Sequence, residues 1–138
     1  MEVSMTPEKL ISLAVEAMGN AYAPYSGFQV GAALLCSDGT VYTGCNIENA
    51  AYSPTNCAER TAVFKAVSEG HRDFTAIAIC GGKNGEITNL CTPCGVCRQV
   101  LREFCKDDFP VYLAHGGGYK TLTLSDLLPY SFGEDSLK

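Results

Sequence analysis

Three cysteines and one glutamate form the group of residues in this chain best suited to chemistry. Cys57 stands two residues before Glu59, and Cys94 and Cys97 follow at a Cys-x-x-Cys spacing. Three thiolates on one tetrahedral zinc leave its fourth position open, and water at an open position on zinc becomes a nucleophile. Glu59 can move protons beside such a metal without being a ligand. The pattern predicts hydrolytic chemistry.

The third metal ligand is predicted to be a cysteine. The chain has two histidines, His71 and His115, and neither has a partner at metal-ligand spacing. Cys57 is therefore the best placed residue to join the Cys-x-x-Cys pair. Because three thiolates outweigh the charge of one divalent cation, some positive group must offset the excess. Arg60, one helical turn after Cys57, is predicted to donate hydrogen bonds to the sulfurs.

Two other kinds of metal site would use some of the same cysteines. A structural zinc would close the fourth position with a side chain such as Cys91, Cys45 or His115. Cys91 also starts a Cys-x-x-Cys-x-x-Cys run like that of bacterial ferredoxins, but Leu101 occupies the place of the fourth cysteine. Cys91 is therefore expected to stand beside the site without binding metal. The cysteines in apolar segments are expected to be small buried side chains, namely Cys36, Cys45, Cys80 and Cys105.

The order of apolar patterns predicts the elements that position these residues. Strands that alternate with helices indicate an α/β fold, in which a mixed sheet of about five strands is covered on both faces in three layers, α/β/α. Thr6 caps the first helix, and Asp38-Gly39 forms the hairpin turn. A glycine-rich loop is expected after the third strand, and Pro93 in the first turn of the third helix. We predict helices at 7–21, 57–69, after 93 and at 125–128, and strands at 28–36, 40–44, 74–80, 109–114 and 119–124.

Six sequence motifs together resemble those of one enzyme family. They are Ala-Pro-Tyr-Ser at 23–26, Val-Gly-Ala-Ala at 30–33, Cys-Asn-Ile-Glu-Asn-Ala at 45–50, Cys-Ala-Glu-Arg-Thr-Ala at 57–62, Pro-Cys-Gly-Val-Cys-Arg-Gln at 93–99, and Leu-Leu-Pro-Tyr-Ser-Phe at 127–132. In order and spacing they resemble the small homotetrameric cytidine deaminases with a three-cysteine zinc site. The resemblance covers about residues 6–134.

This resemblance implies a substrate, a cofactor and an assembly. The substrates would be free cytidine and 2′-deoxycytidine, hydrolysed to uridine, 2′-deoxyuridine and ammonia in pyrimidine salvage, with one Zn²⁺ per subunit and Glu59 as the catalytic residue. Phe28 would stack on the base, and Asn46 and Glu48 would bind the sugar. A homotetramer would share its active sites between subunits. The implied substrate-binding residues are Phe28, Asn46, Glu48 and Ala58 and, contributed by a neighbouring subunit, Ala50, Tyr52 and Phe132.

Composition agrees with a small-molecule enzyme of one domain, residues 1–138. Hydrophobic residues make up 46% of the 138 residues, which is enough for a packed core. A formal charge of −5 provides no basic surface, so nucleic acid is not an expected partner. No apolar run reaches the roughly 20 residues of a membrane span, and no export segment is recognisable. We therefore expect a cytoplasmic protein with reduced cysteines, and keep a blasticidin-type deaminase and a structural-zinc binding module as alternatives.

Overall fold

The computed structural model describes residues 4–138, so residues 1–3 of the predicted domain lie outside the described part. A five-stranded sheet forms the centre, and helices lie on both of its faces. The elements in chain order are α1 (Pro7–Met18), β1 (Phe28–Cys36), β2 (Val41–Cys45), α2 (Ala58–Ser68), β3 (Phe74–Lys83), α3 (Gly95–Phe104), β4 (Pro110–His115), β5 (Gly118–Thr123), α4 (Leu124–Leu127) and a final 3₁₀ helix (Glu134–Leu137).

The sheet is mixed, with strand order β2-β1-β3-β4-β5. β3 and β4 are parallel, whereas the other neighbouring pairs are antiparallel. Parallel neighbours need a crossover connection, and α3 supplies it between β3 and β4. The predicted α/β class with about five strands is confirmed.

The two faces of the sheet differ in side-chain size. Successive strand residues point to opposite faces, so Leu34 and Ile77 pack with α2 and α3, while Ala33 and Ala78 pack with α1. Large aliphatic side chains fill the space under α2 and α3, and alanines let α1 lie close to the strands. Burial of these apolar faces from water holds the three layers together.

Gly44 of β2 sets the position of the helix that begins at the predicted metal site. A Cβ atom built on Gly44 would lie 2.4 Å from the carbonyl oxygen of Ala58, in the first turn of α2. Since backbone cannot give way as a flexible side chain does, only glycine allows the start of α2 to approach β2 this closely. This contact places Cys57, the residue before α2, beside the end of β2.

Three predicted boundaries were wrong by two or more residues, and the other bounds lie within one residue of the prediction. The first helix ends at Met18, because Gly19 and Asn20 turn the chain with hydrogen bonds to Glu16 and Ala17. The predicted glycine-rich loop is part of β3, where Gly81 pairs with β1 and leaves room for the Cys91 side chain, whose Sγ would lie 2.8 Å from an added Cβ.

Pro93 is the third boundary error. It precedes the cap of α3, which is Cys94, so the helix itself begins at Gly95. The proline still fixes the approach of the chain to the helix, but it stands two residues before the first helical residue. Across residues 4–138, every helix is too short or too polar to cross a lipid bilayer.

Candidate active site

The starts of two helices bring three thiols to one point. Cys57 is the N-cap of α2 and Cys94 is the N-cap of α3, with Cys97 one turn further along. The Sγ atoms of Cys57 and Cys94 are 3.6 Å apart, and those of Cys94 and Cys97 are 3.4 Å apart. All three sulfurs lie within 4.8 Å of one another. The sequence alone predicted this convergence, and the structure confirms it.

The geometry of the thiols fits zinc. Zinc–sulfur bonds of about 2.3 Å in a tetrahedron place the sulfurs about 3.8 Å apart, close to the separations found here. Both helix N-termini direct partial positive charge at the sulfurs, which favours the thiolate form. Within residues 4–138, the cluster contains these three ligands and no fourth, so Cys45, Cys91 and His115 are not part of it. A zinc ion held by these three sulfurs would have its fourth ligand position available to solvent or substrate.

Glu59 lies beside the thiols in an apolar environment. It is 4% exposed and is the one charged residue that is buried within the described part of the chain. Its Oε1 atom has no hydrogen-bond partner among those residues. Burial, with a smaller contribution from the charge of Cys57, raises the pKa of Glu59 to about 7. A buried carboxylate with one unpartnered oxygen is suited to exchange protons with a small molecule at the site.

Arg60 contacts the metal-binding sulfurs from the side of α2. Its Nη2 donates a hydrogen bond to Cys57 Sγ over 3.3 Å. Hydrogen bonds from Cys97 and Arg60 lower the pKa of the Cys57 thiol to about 5, despite its burial. The guanidinium therefore supplies positive charge where three thiolates would otherwise leave an excess of negative charge.

Asn46, one of the predicted sugar ligands, is bonded to β1. Its Oδ1 accepts a hydrogen bond from the Val30 amide over 2.9 Å, and its Nδ2 donates to the Phe28 carbonyl over 2.8 Å. A primary amide has two N–H groups and two acceptor lone pairs, so one of each remains. Asn46 thus holds the start of β1 in place and keeps the capacity for one further donor contact.

Glu48 is held by the loop that contains the Ala-Pro-Tyr-Ser motif. Its Oε1 accepts hydrogen bonds from the backbone amides of Tyr25 at 3.0 Å and Ser26 at 3.1 Å, and its Oε2 accepts from the Ser26 hydroxyl. The same hydroxyl accepts a hydrogen bond from the Phe28 amide over 2.9 Å. The hydrogen bonds from Ser26 lower the pKa of Glu48. The carboxylate keeps part of its acceptor capacity for a ligand.

Ser26 is the residue that sequence reasoning missed. It belongs to the Ala-Pro-Tyr-Ser motif, which by itself predicts no role for it. The signal was its position between Tyr25 and the aromatic Phe28, but only the fold shows that it reaches Glu48, 22 residues later. Beside it lies a cavity of about 280 Å³ lined by Tyr25, Ser26, Glu48, Asn49, Tyr52 and Thr55.

The remaining predicted substrate contacts divide into two sets. Phe28 is 40% exposed at the start of β1, whereas Ala58 is fully buried in the described chain. Ala50, Tyr52 and Phe132 all point into solvent from this chain, and Tyr52 is 84% exposed. Large exposed aromatic side chains of this kind are typical of surfaces that meet another molecule.

Side chains of α3 hold the C-terminal tail that carries Phe132. Gln99 donates a hydrogen bond to the Phe132 carbonyl over 2.8 Å, and Arg102 donates to the Ser131 hydroxyl over 2.8 Å. Arg98 donates to the carbonyl of Pro93, the residue before Cys94, and to that of Leu127. The thiol-bearing turn and the tail are therefore fixed to the same helix.

Comparison with known proteins identifies one family. Residues 4–113 match the family model described as the cytidine and deoxycytidylate deaminase zinc-binding region. The chain is 53% identical over 134 residues to a cytidine deaminase of Sporosarcina psychrophila, covering 96% of each chain. The crystal structure of cytidine deaminase from Burkholderia pseudomallei superposes with a TM-score of 0.86 at 47% identity, covering 93% of this chain and 100% of the other. A blasticidin-S deaminase of Bacillus cereus is 29% identical over 94% of each chain.

Proposed function

The chain belongs to the cytidine and deoxycytidylate deaminase family, and we propose that it hydrolyses free cytidine and 2′-deoxycytidine to uridine and 2′-deoxyuridine, releasing ammonia. The observation that carries this proposal is the buried carboxylate of Glu59, whose Oε1 has no hydrogen-bond partner, beside three thiols that together would supply three of the four ligands of a zinc ion. A zinc site whose only task was to stabilise the fold would have no use for such a carboxylate.

The three thiols would hold Zn²⁺, which when bound supplies a water molecule of lowered pKa as the nucleophile. Glu59 would accept a proton from this water as its oxygen attacks carbon 4 of the pyrimidine. The carboxyl group would pass that proton to the ring nitrogen N3. It would then transfer the second proton of the water to the departing amino group, which leaves as ammonia. One side chain serves each transfer because the reacting atoms all lie on one side of the base.

The base and the sugar would be bound by groups at the start of β1 and the end of β2. Phe28 offers an exposed aromatic face for stacking on the pyrimidine. The free acceptor capacity of Glu48 suits a sugar hydroxyl, and the remaining N–H of Asn46 can donate to the oxygen of the same group. Ala58, the first residue of α2, would contact the base, as the family resemblance implies.

We also propose that the active enzyme is a homotetramer with one catalytic zinc per subunit, acting as a single catalytic domain in the cytoplasm. Ala50, Tyr52 and Phe132 of one subunit would complete the pocket of a neighbour, which accounts for their exposure in the isolated chain. Light scattering of the purified protein tests the assembly. A fully active monomer would contradict the shared pocket.

The loss of ultraviolet absorbance on conversion of cytidine to uridine tests the reaction directly. We expect turnover of cytidine and 2′-deoxycytidine with equimolar ammonia, loss of turnover after chelation, and recovery when zinc is restored. Blasticidin S is the matched competitor substrate, because its deaminases share this family. Fast turnover of the antibiotic with slow turnover of cytidine would replace the proposed substrate. No ammonia from any nucleoside, with one tightly held zinc, would favour the structural-zinc alternative.

A further inference from the structure

A second group of side chains of the types that bind metals lies at the far end of α2. Cys36 ends β1, Asp38 stands in the β1–β2 turn, and His71 follows the last turn of α2. One potential ligand atom from each lies within 4.8 Å of the other two. We propose that Cys36, Asp38 and His71 form a second divalent-metal site, suited to zinc, which joins the hairpin turn to the end of α2.

This site is distinct from the three-thiol cluster. Cys57 lies at the start of α2 and His71 lies beyond its end, and an 11-residue helix separates them. At 1.5 Å per residue, that helix is about 16 Å long. The two groups therefore share no ligand, and a metal at one has no direct contact with the other.

Local backbone structure directs Cys36 and Asp38 toward each other. The pairing of β1 with β3 shifts register between Leu35 and Cys36, and such an irregularity re-aims the side chain that follows it. Asp38 Oδ1 accepts a hydrogen bond from the Thr40 amide over 3.0 Å, which fixes the carboxylate, and Oδ2 accepts a hydrogen bond from His71 Nε2 over 3.0 Å. The turn thus presents a sulfur and an oxygen on the side of His71.

Tyr42 fixes the imidazole in the orientation that a metal requires. Its hydroxyl lies 3.1 Å from His71 Nδ1, and the two rings pack edge to face with centroids 5.2 Å apart. A metal at Nε2 would replace the proton that Nε2 shares with Asp38, and the proton of the neutral ring would then be on Nδ1, which would donate it to the Tyr42 hydroxyl. Metal-binding histidines commonly have such a partner on the other ring nitrogen.

The size and charge of the site fit a zinc ion. Any three atoms within 4.8 Å of one another have a common point no more than about 2.8 Å from each, so shifts of about 0.5 Å for the sulfur and up to about 0.8 Å for the nitrogen and oxygen reach zinc bond lengths. A thiolate and a carboxylate together balance the charge of a divalent cation. Sulfur, nitrogen and oxygen in one set favour zinc over magnesium or calcium. Asp38, whose side chain is 57% exposed, leaves the site open to solvent.

The number of zinc ions bound per chain tests the proposal. Metal-free protein would be titrated with Zn²⁺ against a chromophoric chelator, and wild type is expected to bind two equivalents. Asp38→Asn and Cys36→Ala should each bind one, whereas Cys80→Ala, which removes a buried thiol on the other face of the sheet, should still bind two. Tyr42→Phe should weaken the second equivalent about 10- to 100-fold.

Deaminase activity in the same samples separates this proposal from the function of the first site. Asp38 lies in an exposed turn, so the Asp38→Asn variant should retain wild-type turnover of cytidine. Loss of the second zinc equivalent in this variant would then not reflect loss of the fold. If Cys36→Ala does not fold, wild type and Asp38→Asn decide the question. A wild-type protein that binds one zinc per chain, or a second equivalent that persists in either ligand variant, would overturn the proposal.

Discussion

Replacement of Glu59 by glutamine is the sharpest test of the proposed chemistry. Glutamine has nearly the same volume as glutamate, so the buried site beside the thiols stays filled. It cannot accept and return protons as a carboxylate does. Because Glu59 is not one of the clustered ligands, Glu59→Gln should keep its zinc.

The size of the effect follows from the isolation of Glu59. It is the one buried charged residue among residues 4–138, so no neighbouring carboxylate can take over its role. General acid–base catalysis contributes about 10²- to 10⁴-fold for a single positioned group. Since one carboxylate serves successive proton transfers here, we expect kcat to fall by at least about 10⁴-fold, or about 5 kcal/mol in activation free energy.

The assay follows cytidine absorbance in single turnovers, with zinc content and circular dichroism measured on the same sample. Glu69→Gln, at the exposed other end of α2, is the matched control and should retain wild-type activity. The KM of Glu59→Gln should change little, because the sugar contacts remain. Activity within tenfold of wild type, in protein that holds its zinc, would refute the role of Glu59 in proton transfer.

Three further substitutions test the residues around the site. Arg60→Gln should lower kcat about 10- to 100-fold with zinc still bound, because the sulfurs lose a hydrogen bond; unchanged kinetics would contradict the role of Arg60 in charge balance. Ser26→Ala should raise KM for cytidine about tenfold but leave KM for 2′,3′-dideoxycytidine nearly unchanged. The hydrogen bonds from Ser26 lower the pKa of Glu48, so the stability that they contribute is present at neutral pH and is lost as pH falls through that lowered pKa. The melting temperatures of wild type and Ser26→Ala should therefore converge in acid. Gly81→Ala would place a Cβ 3.1 Å from the Phe28 ring, and should lower the melting temperature and raise KM; an unchanged KM would show that Phe28 does not stack on the base.

The order of secondary structure was predictable because its signals are local. Thr6 accepts a hydrogen bond from Lys9 as a helix cap, and Gly39 adopts φ 92° in the hairpin turn, both as the sequence predicted. The errors arose where tertiary contacts overrode local preference. Glycine is typical of loops, yet pairing with β1 and the close approach of Cys91 keep Gly81 in a strand.

The metal-binding thiols were also predictable, although they come from separate helices. A Cys-x-x-Cys pair and a third cysteine before a glutamate have a fixed chemical meaning, so spacing was enough to predict that Cys57, Cys94 and Cys97 converge. The burial of Glu59 was not predictable from its polarity. It follows from the packing of α2 against β2.

The sequence by itself determined the donor atoms, the helices that present them and the succession of helices and strands along the chain. These depend on residue type and on spacing within a few positions. Only the tertiary structure decided that Ser26 holds Glu48, that the amide of Asn46 is bonded to β1, and that Cys36, Asp38 and His71 meet. Those contacts join residues up to 35 positions apart, from Cys36 to His71. Their distances depend on how the strands pair and on how closely the helices approach the sheet, which no local pattern encodes.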